Sequence, residues 1–355
     1  CTVAFIDCKK PGSHLKQNYS IIGPGVTSSA EQVINLPEQH GFNIGAAAMP
    51  TGITNILHFH FTAEVFMGYE GESTFRWVSN GEHEFVGRPG DILSVPTWIF
   101  RGFTNIGTGE GWVFTTLGGD NTGGVIIPPD IIREAAEYGL YISRDNVLID
   151  TAKGEATPTE DQCIAPMAPE DVARLRDYSP DEMRERVVTT GDRDFRPAFI
   201  DRALEGCGAE VAPVIGHGIT QNRDHTARIG NPHGFSMEWL RLQPGQRVSP
   251  FALADKMVVI PREGGVRVDL NDAADVQVAL GPWDTFSIPD GVVRSLVNTS
   301  GAAVEVLVIV SGDHQKRPRF RADVMEAAYA SGYALDAQGY AARAHLIPSY
   351  GMVAE

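Results

Sequence analysis

The residues best suited to chemistry lie close together in His58-Phe59-His60-Phe61-Thr62-Ala63-Glu64. The stretch is strand-like and sits between Gly52 and Gly68. On a strand, side chains two apart share a face. His58, His60 and Glu64 therefore share one parity. Two imidazoles and one carboxylate on one sheet face suit a divalent first-row metal. The same HxH pair alone would also fit packed or surface histidines on an edge strand. No Ser-His-Asp or Cys-His constellation is legible. The glycines of Gly118–Gly124 lack the GKS or GxGxxG setting that nucleotide phosphates need.

The elements around these residues read as short strands. Phe85-Val86, Asp91–Pro96 and Trp112–Leu117 are β-branched or aromatic runs bounded by Gly, Pro and Asn. Val266–Leu270 and Val304–Val310 read the same way. Short helices are expected from Pro129 to Glu137 and from Ala322 to Tyr329. Asp130 and Asp323 are read as opening caps, with Gly139 and Gly332 as stops.

These runs belong to an internal repeat. Ile21–Thr27 matches Val214–Thr220, an offset of 214 − 21 = 193 residues. His40-Gly41-Phe42 matches His233-Gly234-Phe235 at the same offset. Pro89, Asp91, Ser94, Pro96, Arg101 and Asn105 fall on Pro282, Asp284, Ser287, Pro289, Arg294 and Asn298. One fold used twice is the expectation. The domain reading is a first barrel over 1–150, a charged, partly helical linker over 151–200, and a second barrel over 201–355.

The chain has 355 residues, 43% hydrophobic and 21% charged, which suits two globular domains. With 29 basic against 45 acidic residues the net charge is −16. That balance argues against nucleic acid and against an anionic membrane surface. No apolar run approaches the roughly 18 residues of a membrane span. Cys1, Cys8, Cys163 and Cys207 form no CxxC pair, which suggests a reducing compartment. A cytoplasmic protein with a trimmed start is expected.

The first-half motif resembles that of the cupin superfamily. The family pattern is G, five residues, HxH, three or four residues, E, six residues, G; here it is met by Gly52, His58, His60, Glu64 and Gly71. In the second motif Gly90, Pro96 and Asn105 fit, whereas Trp98 replaces its glycine and Arg101 its histidine. The resemblance covers both halves, as in a bicupin. It implies an all-β fold of two tandem double-stranded β-helix barrels with short flanking helices.

The resemblance implies one metal site, with His58, His60 and Glu64 as ligands. Fe(II) is favoured, and Zn, Mn or Ni are alternatives. Arginine stays protonated and cannot be a ligand. Arg101 is therefore read either as an anchor for a substrate carboxylate or enolate, or as a structural residue paired with a carboxylate such as Asp91. Its counterpart Arg294 persists where Phe251, Leu253 and Met257 replace the ligands, and this favours the structural role. Phe66, Trp98, Phe100 and Phe103 are the expected substrate-facing aromatics, with Met49 and Phe114 as further candidates. His83 reads as a solvent-facing hairpin tip.

The leading functional expectation is an oxygen-dependent dioxygenase similar to the quercetin and gentisate branches. Its substrate would be a small aromatic or enolisable molecule, with Glu64 and Arg101 as catalytic candidates. The alternatives are a non-redox metalloenzyme (isomerase, lyase or hydrolase) and a non-enzymatic binding protein. A homo-oligomer is expected.

Overall fold

The computed structural model describes residues 5–78 and 80–348. The chain divides into two compact units, Cys1–Gly191 and Asp192–Glu355. Among the described residues no helix is long and apolar enough to cross a membrane. Cys8, Cys163 and Cys207 are free thiols, and Cys1 lies outside the described residues.

In the first unit the strands are β1 (Gln17–Ile22), β2 (Ile34–Leu36), β3 (Phe42–Met49), β4 (Thr54–His58) and β5 (Glu64–Glu70). They continue as β6 (Ser73–Trp77), β7 (His83–Gly87), β8 (Ile92–Val95), β9 (Arg101–Asn105) and β10 (Gly111–Gly118). Then come α1 (Pro129–Glu137), the hairpin β11 (Leu140–Ile142) and β12 (Leu148–Asp150), the short helices α2 (Pro169–Val172) and α3 (Pro180–Arg184), and β13 (Val187–Val188). One sheet runs β13-β8-β5-β10-β3-β1-β2 and the other β4-β9-β6-β7. Inward residues of the two sheets make the core: Ala47, Met49, Phe66, Phe75, Trp77, Leu93, Val95, Phe103 and Val113 are all buried.

The second unit repeats this plan. Its strands are β14 (Arg196–Pro197), β15 (Glu210–Ile215), β16 (Phe235–Leu242), β17 (Phe251–Ala252), β18 (Met257–Pro261) and β19 (Val266–Leu270). They continue as β20 (Val276–Leu280), β21 (Phe286–Ile288), β22 (Arg294–Asn298), β23 (Val304–Ser311) and β24 (Arg319–Phe320), followed by α4 (Ala322–Ala330). The sheets run β14-β15-β16-β23-β18-β21 and β20-β19-β22-β17-β24.

The repeat holds at the level of register. Ser20 pairs with Gly45 and Ile22 with Ile44 across a bulge. Pro213 pairs with Glu238 and Ile215 with Met237 across the same bulge. Thr115 faces Gly45, and Val308 faces Glu238. The sequence offset therefore places equivalent atoms, not only equivalent residue types.

Three expectations need correction. The stretch 151–200 is partly helical as expected, with α2 and α3, but its later part packs on the first barrel instead of linking two barrels. Met183 and Val187 are buried in the first core, β13 extends the β8 edge, and Trp77 Nε1 donates to the Tyr178 carbonyl at 2.7 Å. That strap covers an otherwise unpaired strand edge. The chain instead divides at Gly191, and residues 192–200 pack in the second unit. Asp130 and Asp323 do not cap their helices: the N-caps are Pro128 and Arg321, and the acids sit in the first turn, where they favour the helix dipole. His83 is not a free hairpin tip. It opens β7, half-buried, with Nε2 3.8 Å from Asp177 and its ring 5.8 Å from Trp77.

Candidate metal centre

β4 carries His58 to the edge of its sheet, where it pairs with Arg101 of β9. The chain then leaves the strand. Phe59 is held by paired backbone bonds with Ile126, and its buried ring packs against Phe100 at 5.1 Å. That anchor fixes His60 one step beyond, and the His58 and His60 rings meet edge-on at 4.7 Å. Glu64 opens β5 between Leu117 of β10 and Val95 of β8.

The ligand atoms of His58, His60 and Glu64 all lie within 4.8 Å of one another, and the three residues are buried. His58 Nδ1 bonds the Ile56 carbonyl at 2.7 Å, and His60 Nδ1 lies 3.4 Å from the Gly124 carbonyl. An imidazole that gives Nδ1–H to a carbonyl offers Nε2 as its lone-pair nitrogen. His60 Nε2 is buried, completes no hydrogen bond, and lies 3.4 Å from Glu64 Oε2.

Protonation follows from burial and neighbours. Burial is the main cause that lowers His58 to about 3, and the adjoining His60 adds to it. Burial also lowers His60. For Glu64 burial opposes ionisation, but His60 and the Arg101 guanidinium outweigh it and hold the carboxyl well below its usual range. Near neutral pH the set is two neutral imidazoles and one carboxylate, the state that metal binding requires. An orphaned imidazole nitrogen beside an ionised oxygen fits a divalent ion, and the nitrogen–nitrogen–oxygen donor set is borderline in softness.

Arg101 is wholly buried and pairs with Glu64, not with Asp91: its Nε donates to Glu64 Oε2 at 2.7 Å and its Nη1 to the Ile99 carbonyl at 3.1 Å. Asp91 instead accepts from the backbone N–H groups of Arg88 and Thr190. In the second unit Asp284 accepts from Gly281 N–H, while Arg294 donates only to the Val292 and Pro289 carbonyls among the contacts described. The shared aspartates thus brace turns. The arginines share a place but not a partner.

A cavity of about 60 Å³ opens on this centre. Its walls include His58, Glu64, Phe103, Asn55, Thr115 and Gly45. Of the four aromatics expected to face substrate, only Phe103 reaches it. Phe66 is buried deeper, stacked on Phe75 at 5.3 Å. Phe100 is buried against Phe59 on another side. Trp98 is 51% exposed and packs on Phe59 and Phe61 at 5.1 and 5.3 Å. Parity along a strand gives the face of a side chain but not its depth, which explains the misplacement. Met49 belongs to the core, and Phe114 packs outward against Tyr69.

The sequence reading also missed a buried polar cluster behind Asn55 of the chamber wall. Lys16, buried, donates to both Asp7 oxygens at 2.8 and 3.1 Å and to Asn55 Oδ1 at 2.6 Å. Phe5 stacks toward His58 at 6.5 Å. In the second unit the equivalent ligand positions hold Phe251, Leu253 and Met257, all buried in its core.

Two barrels of two sheets each, antiparallel apart from the parallel β1–β2 edge pair and repeated in one register, define the bicupin fold, and the first barrel carries a candidate metal-binding site. No protein-family model and no curated protein matches the chain. Among solved structures it is similar to the oxalate decarboxylase formate complex from Lactobacillus farciminis, with 14% identity, a TM-score of 0.48, and 79% of this chain and 80% of that chain covered. It is also similar to hazelnut (Corylus avellana) vicilin, with 10% identity, a TM-score of 0.47, and 78% and 77% covered. AerE from Microcystis aeruginosa shows 10% identity, a TM-score of 0.44, and 77% and 88% covered.

Proposed function

We propose that the first barrel is a metal-dependent enzyme centre in which His58, His60 and Glu64 hold one divalent ion, Fe(II) being favoured. The observation that carries this reading is the meeting of two neutral imidazoles and one ionised carboxylate within 4.8 Å beside a small chamber. Two histidines and one carboxylate leave coordination positions open, the arrangement of non-haem iron oxygenases. Such an ion supplies Lewis acidity and, as iron, redox chemistry with dioxygen.

The favoured reaction is oxygen-dependent cleavage of a small enolisable substrate. Glu64 serves as ligand, and Arg101 serves as its positioning residue through the bond to Oε2. A held carboxylate is poorly placed to swing away as a base. Phe103 and Asn55 bound the substrate space, while burial of the centre keeps bulk water out.

A second reading, non-redox chemistry with Zn, Mn or Ni, is favoured by the chamber itself. Ser20, Asn55 and Thr115 interrupt walls that are otherwise mainly apolar, with Phe5, Tyr19, Ile44, Phe103 and Leu117 among them, and these polar groups can hold a compact acid. Metal-free protein loaded anaerobically with Fe(II), then mixed with oxygen and a panel of small enolisable acids, tests both readings. Substrate-dependent oxygen consumption supports the first. Turnover with Zn, Mn or Ni and no oxygen consumption supports the second.

A further inference from the structure

The second barrel buries an acid that the first barrel lacks. Glu238 sits mid-strand in β16, fully buried, in the place that Gly45 occupies in β3. Its Oε1 accepts from the Ile219 backbone N–H at 2.8 Å, and its Oε2 finds no partner among the described residues. Gly218, at φ +60°, makes room for that carboxyl: a Cβ there would lie 2.0 Å from Oε2.

Each of these parts has a counterpart in the first chamber, with the carboxyl removed. Gly25 takes the place of Gly218, with φ +62° and open space where a Cβ would point. Val26 takes the place of Ile219, and its backbone N–H has no acceptor among the described residues. Gly25, Val26 and Gly45 all line the chamber that reaches His58 and Glu64. The φ of Gly45 lies outside the left-handed region, and a Cβ there would stand 3.1 Å from both the Tyr19 carbonyl oxygen and Thr115 Oγ1, so a side chain at this position needs those two neighbours to give slightly.

We propose that the first chamber contains a carboxylate subsite, bounded by Gly25, Val26 N–H and Gly45, that takes the short carboxylate arm of the substrate in the place Glu238 fills in the second barrel. The walls differ in the direction an ionised ligand requires. Ser20, Thr115 and Asn55 stand where the second barrel has Pro213, Val308 and Val248. The apolar second setting pushes the Glu238 carboxyl up to about 8, chiefly through burial. In the first, Thr115 Oγ1 and Asn55 Nδ2 are donors that an anion can use, whereas the Ser20 hydroxyl already donates to the Pro24 carbonyl at 3.3 Å. The subsite deepens the proposed function, because the acid it holds would extend toward the metal ligands, but its anchor does not depend on a metal.

Propionate is the side chain that converts glycine to glutamate, and it is the probe. Binding of ¹³C-propionate to the full chain is followed by NMR without metal, and metal content is assayed separately on the same variants. The wild type is expected to bind one propionate per chain. Gly45→Glu, which supplies the arm internally, should weaken that binding by at least about tenfold and still take up metal at His58, His60 and Glu64. Glu238→Gly should gain a second equivalent that strengthens as pH falls, because its apolar walls take the protonated acid, and at acidic pH the acid should raise its Tm more than that of the wild type. If Gly45→Glu does not fold, Glu238→Gly decides, and failure to gain a site overturns the proposal. Absence of propionate binding to the wild type, or unchanged affinity in folded Gly45→Glu, also overturns it. Loss of metal binding with propionate binding intact would instead count against the metal-centre reading alone.

Discussion

Arg101 Nε donates to Glu64 Oε2 at 2.7 Å, joining a cation and a metal-ligand candidate that are both buried. The pair exists only in the first barrel, because Met257 replaces the carboxylate in the second and Arg294 is left with backbone carbonyls. A residue shared by both repeats has thus acquired an electrostatic task in one.

That asymmetry predicts unequal costs. Removing one partner of a buried ion pair leaves the other uncompensated, at roughly 3–5 kcal/mol. Arg101→Ala should therefore destabilise the metal-free protein by that order, and Arg294→Ala by less. A divalent ion can replace the lost positive charge beside Glu64. Metal should then raise the Tm of Arg101→Ala more than that of the wild type. Denaturant melts with and without metal check this, and equal losses for the two arginine variants would contradict it.

Glu238 predicts a pH dependence. Its carboxyl is raised from 4.5 to about 8 in the folded chain, mainly by burial. Between those values the folded state holds a proton that the unfolded state has released. Its contribution to stability is therefore complete below pH 4.5, falls as pH rises, and is lost once pH passes about 8. The total is on the order of several kcal/mol. Glu238→Gln keeps an oxygen for Ile219 N–H and cannot ionise, so its denaturant midpoint should vary less over that range. Parallel pH profiles in the two proteins would refute the assignment.

Trp98 holds φ +58° where the second barrel has Gly291 at φ +72°. A left-handed non-glycine residue costs roughly 1–2 kcal/mol. Trp98→Ala should lose the contacts to Phe59 and Phe61 and keep the strain, whereas Trp98→Gly should lose the same contacts and release it. The glycine variant should be the more stable by about 1 kcal/mol. Equal stability, or the reverse order, would show that the turn carries no such strain.

Much of the centre was legible in the sequence. The spacing of His58, His60 and Glu64 places them on one parity, and parity is a local property of a strand. The repeat offset was equally readable, because almost no net insertion separates the halves. The partner of Arg101 was not readable. Glu64 and Arg101 meet across the interior from β5 and β9, and that approach depends on closure of the barrel. The chamber walls failed for a related reason: Phe66 shares the face of Glu64 but lies deeper, and a turn conformation carries Trp98 outward. The exchange of Gly45 for Glu238 was visible at the offset, yet it acquires meaning only once the β3 and β16 registers show that the two residues occupy one place.

The central claim is that His58, His60 and Glu64 form a metal site in the first barrel and that the second has none. Metal bound per chain, measured after loading metal-free protein and removing excess ion, tests it most directly. The wild type should retain one divalent ion. The His58→Ala, His60→Ala double variant should retain none while keeping its circular dichroism, since Phe251 and Leu253 fill the same places in a folded barrel. One ion retained by the double variant, or none by the wild type, would contradict the account.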